Sequence, residues 1–132
     1  MRSLSDTGKL VLWEPLREYC KKLFEVQGVP ADEAFIVADS LVDADLNGVE
    51  SHGVSRMPIY MRRIEEKVVS RVCRIEVERE YPGSLAINAC NSMGMVAGVK
   101  AMELAIKKAG ESGSAFVTVS HSNHFGTAAY FT

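Results

Sequence analysis

The stretch "AFVTVSHSNHFGTAAYFT", residues 115–132, decides how the chain reads. Residues 115–119 form a short β-branched run, a composition suited to a strand buried in a sheet. The polar string "SHSNHFG" (120–126) reads as a loop, and "TAAYFT" starts something helical. A loop between the carboxyl end of a strand and a helix is a common ligand position, because the helix start offers free N–H donors. Gly126 allows close backbone approach, Ser122 and Asn123 supply short hydrogen-bonding side chains, and His121 or His124 can face a ligand. The competing reading is an ordinary turn.

Upstream, "EPLREYCKKLFEVQ" (14–27) spaces Leu16, Tyr19, Cys20, Leu23 and Phe24 as the stripe of an amphipathic helix, with Pro15 in its first turn and Gly28 after its end. "PADEAFIVADSLVDADLNG" (30–48) repeats the design. Asp32 and Glu33 sit in its first turn to complement the helix dipole, and Gly48 closes it. The short connection between them predicts an antiparallel helix pair. A third helix is expected over 54–67, with Met57, Met61 and Ile64 on one side. "RIEVEREY" (74–81) alternates as a half-buried strand would, Pro82-Gly83 is a turn, and "SLAINAC" (84–90) returns as a strand. A fourth helix is expected over 95–109, its terminal Lys107 and Lys108 complementing the dipole and Gly110 or Gly113 stopping it. Trp13 is expected to cover the edge of the core, and Met57, Met61, Met93 and Met95 to fill it. The fold class is therefore mixed α/β.

The totals limit the function. A chain of 132 residues, 47% hydrophobic and 24% charged, fits one ordinary globular unit. Its net charge of -2 gives no basic footprint, so nucleic acid is not an expected partner. No window approaches the ~20 apolar residues of a membrane span, and residues 1–13 carry too little apolar sequence for a signal peptide. Cys20, Cys73 and Cys90 are widely spaced without a C-x-x-C pair, which predicts free thiols in a cytoplasmic, reducing compartment. "NSMGMVAG" (91–98) lacks G-x-G-x-x-G, so a Rossmann loop is not expected there.

A second polar stretch, "NGVESHGVSRMPIY" (47–60), holds Ser51, His52, Arg56 and Tyr60. If 54–66 is helical, Arg56 and Tyr60 share a face and His52 lies at its start. Arg suits a bidentate grip on a carboxylate, His exchanges protons near neutrality, and a neighbouring hydroxyl orients the ring. The plainer alternative is a Ser-capped helix start with a solvated His and a surface Arg. A metal reading, with His121 and His124 joined by His52, has no supporting acid or Cys nearby, and no metal is expected.

Together "DADLNGVESHGVSRMPIY", "AMELAIKKAGESG" and "SNHFGTAAYF" resemble the malate/L-lactate dehydrogenase family, the NAD(P)-dependent 2-oxoacid oxidoreductases that lack a Rossmann domain. The resemblance runs from Leu12 to Phe131. It implies hydride transfer between the nicotinamide of NAD or NADP and C2 of a small 2-hydroxy or 2-oxo acid of malate, lactate, ureidoglycolate or sulfolactate type. It puts Ser51 and His52 at the reacting carbonyl, with His52 moving the hydroxyl proton and Ser51 orienting it. It puts Arg56 on the substrate carboxylate with Tyr60 close by. His124 stands at cofactor and substrate, in some members as the acid/base itself, and His124, Phe125, Gly126, Thr127 and Ala128 meet the cofactor. His121 carries less information. Two segments are implied, a helical substrate side (12–70) and the start of the cofactor-binding α/β part (71–132). Members run well over twice this length and their full-length form is expected to be a homodimer. The chain thus reads as an N-terminal fragment, and the alternative function is an inactive, associating domain.

Overall fold

A computed structural model describes residues 10–131. The opening nine residues, part of the stretch weighed against a signal peptide, and Thr132 lie outside them. Helices α1 (Trp13–Val26) and α2 (Ala31–Leu46) form the expected pair. Two 3-10 turns, Glu50–His52 and Val54–Arg56, lead into α3 (Met57–Glu65). Strands β1 (Glu76–Tyr81) and β2 (Ser84–Ser92) pair antiparallel about the Pro82-Gly83 turn. Helix α4 (Gly94–Ser112) then crosses over to β3 (Phe116–Ser122), which runs parallel to β2, and a last 3-10 turn covers Ala128–Phe131. The sheet order is β1-β2-β3.

The core gathers around α2. Val37, Ala38 and Leu41 are fully buried, and Phe24 of α1, Ile64 of α3 and Met95 and Val96 of α4 close on them. Alanines at 34, 38 and 44 keep the helix slim enough for neighbours on several sides. Of the α1 stripe, Cys20 and Phe24 are buried and Leu16 and Leu23 partly so, whereas Tyr19 is exposed. Trp13 is the first residue of α1 and lies under the Arg17 guanidinium, which also stands over Phe35 at the same 5.0 Å. Met57, Met93 and Met95 are buried in the core as expected, with Met61 at its edge.

Four expectations are corrected. Strand β1 is exposed along its whole length rather than half-buried, because α4 packs on β2 and β3 and leaves β1 uncovered. Strand β3 is mostly exposed rather than buried, with Phe116 at 68%. It is, like β1, an edge strand among the described residues, and α4 packs against only part of it. The third helix becomes α-helical only at Met57. Before it, an Asp45 carboxylate oxygen accepts the Val54 N–H at 2.9 Å and holds a 3-10 turn. A Cβ at Gly53 would overlap that carboxylate, so the contact requires glycine. Finally, α4 runs on to Ser112 and stops at Gly113 in the left-handed region, so Lys107 and Lys108 are not in its last turn. Lys108 instead binds the Tyr81 carbonyl and Glu80.

Glu33 also departs from its expected dipole role. Its side chain is 7% exposed, and it accepts from Lys100 Nζ at 2.9 Å and from the Cys73 N–H at 2.8 Å. One buried carboxylate thus joins α2, α4 and the segment that leads into β1. A second tie moors the last turn: Tyr130 Oη donates to Asp39 of α2, whose other oxygen pairs with Arg17 of α1, both at 2.9 Å. Burial and the Asp39 carboxylate push the Tyr130 phenol well above its ordinary pKa. The three cysteines are free, and burial raises the thiols of Cys20 and Cys73.

Glu33→Ala strands a backbone N–H and a lysine at a buried junction. A loss of about 2 to 3 kcal/mol is expected in urea denaturation, with an unchanged slope.

Candidate active site

The two polar stretches meet. Tyr60 of α3 and His124 beyond β3, 64 residues apart in sequence, are joined by a 2.8 Å contact between Tyr60 Oη and His124 Nδ1. The rings of His52 and His124 stack with centroids 5.3 Å apart and planes 29° apart. Ser51 Oγ lies 2.9 Å from His52 Nδ1, and Arg56 Nε donates to the Ser51 carbonyl at 2.7 Å. Ser51, His52, Arg56, Tyr60 and His124 therefore form one cluster. Of these, Tyr60 and His124 also line a small cavity of about 10 Å³, with Arg63, Asn123 and the apolar Val69, Met93 and Met95.

The local fold explains why they converge. The Asp45 contact fixes the turn that carries Ser51 to Arg56, and Pro58 in the first turn of α3 sacrifices an N–H that would be unpaired there anyway. On the sheet side, the β2–β3 register slips between Asn88 and Ser92, and Cys90 and Asn91 both have positive φ. This bulge presents the backbone and side-chain oxygens of Asn91 to the Asn123 amide, which donates to them at 3.1 and 2.9 Å and to the Ser92 carbonyl at 3.0 Å. The loop then passes so close to the start of α4 that a Cβ at Gly94 would collide with the backbone of Asn123 and His124.

The hydrogen bonds fix the state of His124. The Gly126 N–H can only donate, and its acceptor is His124 Nδ1 at 3.2 Å. Nδ1 therefore carries the lone pair and the neutral ring carries its hydrogen on Nε2, an assignment made from the bonding pattern. Partial burial lowers the His124 pKa, and the positive charges of Arg56, His52 and Arg63 push the same way. Burial raises the Tyr60 phenol despite the opposing pull of Arg56 and Arg63.

His121 stands apart: it is exposed and bonds the neighbouring Ser120 hydroxyl. Among the described residues no group of three or more His, Cys, Asp or Glu is arranged to hold a metal ion. Phe125 faces a second groove of about 290 Å³, shared with Gly94, Gly98, Ser122, Asn123 and Phe131. Gly126 and Thr127 are half-buried beside it in sequence, and Ala128 starts the last 3-10 turn.

Sequence reasoning missed Asp45, Asn91 and Arg63. Asparagine is depleted in regular strands, so the pair Asn88 and Asn91 inside the "SLAINACNS" strand was the available sign of a bulge. Arg63 lies seven positions after Arg56 and so recurs on its face two turns on. Asp45 gave no sign of its role.

The malate/L-lactate dehydrogenase family pattern matches residues 11–132. The chain belongs to that family. Among its relatives, malate dehydrogenase of Pyrococcus horikoshii is 46% identical over 104 residues, which are 79% of this chain and 29% of that protein. L-sulfolactate dehydrogenase of Methanocaldococcus jannaschii is 42% identical over 105 residues, 80% of this chain and 30% of that protein. Ureidoglycolate dehydrogenase (NAD(+)) of Escherichia coli is 38% identical over 104 residues, 79% and 30% of the two chains. The solved structure of the Pyrococcus horikoshii malate dehydrogenase superposes with a TM-score of 0.93 at 38% identity, covering 99% of this chain and 38% of that one. This malate/L-lactate dehydrogenase family chain thus spans about a third of the length of the relatives it matches. No helix among the described residues is long and apolar enough to cross a membrane.

Nitrogen-detected NMR is expected to find His124 with Nδ1 unprotonated and a titration midpoint below the ordinary value of about 6.5. The unfolded chain then takes up that proton first. The stability this residue contributes is present above about pH 6.5 and is lost as pH falls toward the folded midpoint.

Proposed function

We propose that the chain carries the substrate-side catalytic cluster of an NAD(P)-dependent 2-hydroxy acid dehydrogenase. The observation that supports this reading is the meeting of His52 and His124, with Arg56 and Tyr60, in one side-chain cluster. Arg56 grips the substrate carboxylate. Its Nε is committed to the Ser51 carbonyl, which fixes the plane of the guanidinium and aims the terminal nitrogens elsewhere.

The bonding pattern divides the work of the two imidazoles. To act as a base through Nε2, His124 would need its hydrogen on Nδ1, where the Gly126 N–H already points. It therefore stays neutral and donates Nε2–H to the substrate oxygen, polarising the carbonyl in the reducing direction. His52 is under no such constraint. With Ser51 Oγ accepting from Nδ1–H, its Nε2 is the free lone pair that removes the hydroxyl proton, and returns it in reduction.

The groove beside Phe125 fits a nicotinamide: its size lies near the lower end for ligand pockets, Phe125 and Phe131 give aromatic walls, and Ser122 and Asn123 give polar partners for a carboxamide. The residues that would hold the cofactor are His124 to Ala128. When bound, NAD or NADP supplies the hydride acceptor for oxidation and the donor for reduction.

A second reading, an associating domain without catalysis, is favoured by β3, where Phe116 and Val119 are exposed on an outer strand. Fluorescence titration with NADH and NADPH separates the two. Micromolar binding together with 2-oxo acid turnover supports the dehydrogenase, and binding weaker than millimolar with no turnover supports the associating domain. In an active protein, Arg56→Lys is expected to raise KM and lower kcat, about tenfold or more in kcat/KM, because a point charge replaces a planar fork. Unchanged kinetics would remove Arg56 from the carboxylate.

A further inference from the structure

Asn91 is tied at both ends of its amide, although it belongs to neither of the polar stretches that form the site. Its Nδ2 donates to the Val68 carbonyl, and its Oδ1 accepts from Asn123 Nδ2 at 2.9 Å. The Asn123 nitrogen faces three oxygens, Asn91 O and Oδ1 and Ser92 O, which fixes its orientation and with it that of the Asn91 amide. Val68 is in turn bonded to the end of α3, its N–H donating to the Arg63 carbonyl at 2.9 Å, and the Ser70 N–H donates to Asn91 O at 2.9 Å. One side chain thus spans from the helix that carries Tyr60 to the residue that precedes His124. The backbone says the same by another route. Asn91 holds φ at +60°, a conformation that glycine adopts without cost and asparagine only tolerates. Glycine would serve the bulge better, so what asparagine adds there is the amide.

We infer that Asn91 is a positioning residue whose amide fixes the spacing between α3 and the His124 loop, and so sets the His124 ring against Tyr60 and His52. Its effect on catalysis rests on the dehydrogenase reading above; the tie itself does not. Without the amide, Asn123 keeps only backbone acceptors and the segment after α3 is released from the loop. The 2.8 Å contact of His124 Nδ1 with Tyr60 Oη and the 5.3 Å stacking on His52 then have no fixed spacing behind them. In place, the half-buried His124 ring meets Tyr60 and the positive charges of Arg56, His52 and Arg63, and its pKa is lowered. A ring that swings away from them regains its ordinary behaviour.

The test is nitrogen-15 NMR of the histidine-labelled chain, comparing wild type with Asn91→Gly and Asn91→Asp. Asn91→Gly is expected to keep its circular dichroism and to melt within about 5 °C of wild type, because glycine relaxes the left-handed backbone while two exposed hydrogen bonds are lost. Its His124 midpoint is expected to rise by about half a unit or more toward the ordinary ~6.5, and its Nδ1 resonance to leave the unprotonated position for a tautomer average. Asn91→Asp keeps the size but turns a carboxylate oxygen on the Val68 carbonyl, and the same shifts are expected. In a protein with turnover, Asn91→Gly is expected to lower kcat about tenfold or more and to change KM no more than about threefold, because Arg56 is untouched. Should Asn91→Gly unfold, Asn91→Asp takes its place. An unmoved His124 signature in a folded variant overturns the inference and leaves the dehydrogenase reading standing. So does loss of the fold in both variants, which marks Asn91 as structural. The expected His124 shifts with no turnover in the wild-type protein uphold the inference and overturn the dehydrogenase reading.

Discussion

The hydrogen bond between Tyr60 Oη and His124 Nδ1 is the contact through which the helical part of the chain and the sheet part become one site. Each partner is held by a separate piece of local structure. Tyr60 is set by α3, which is aimed by the Asp45 carboxylate at its preceding turn. His124 is set by the Asn123 amide on the β2 bulge and by the glycine at the start of α4 that lets the loop lie flat against it. Neither arrangement requires the other, and the bond forms where both are satisfied. Its chemical effect exceeds its strength. It holds the same Nδ1 to which the Gly126 N–H donates, and that N–H leaves the His124 hydrogen on Nε2, in a ring stacked on His52.

Much of this was legible in the sequence. The helical stripes of 14–27 and 30–48 gave α1 and α2 nearly to the residue, because their apolar spacing and flanking Gly28 and Gly48 point to the same boundaries. Ser51, His52, Arg56, Tyr60 and His124 were all singled out, and all lie in one cluster. Burial of the strands was not legible. An apolar run such as Phe116 to Val119 records the environment a strand is suited to, whereas its exposure depends on which neighbours lie beside it, and β3 is an outer strand here. The bulge was hidden for a related reason: periodicity averages over a strand, and the two extra residues on β2 are visible only through Asn88 and Asn91, the two residues that fit it badly.

Carboxylates were the least legible class. Glu33 looked like a first-turn acid complementing the helix dipole, and such a residue is normally solvated. Its burial follows from Lys100, 67 positions later, whose ammonium is placed by α4 and meets it only in the folded chain. Asp45 likewise works through a backbone N–H nine residues away and through the missing side chain of Gly53. Such long-range pairings leave no periodic trace, because each partner alone is an ordinary residue in an ordinary place.

The mooring of the last turn has a mechanical corollary. Tyr130 follows the His124 loop by only a few residues, yet it is tied through Asp39 to Arg17, whose guanidinium lies between the rings of Trp13 and Phe35. The loop is thus held between two anchorages of different character, sheet bulge at one end and helix pair at the other. A substitution at Arg17 therefore acts on Asp39 and Tyr130, and through them on the segment that follows His124.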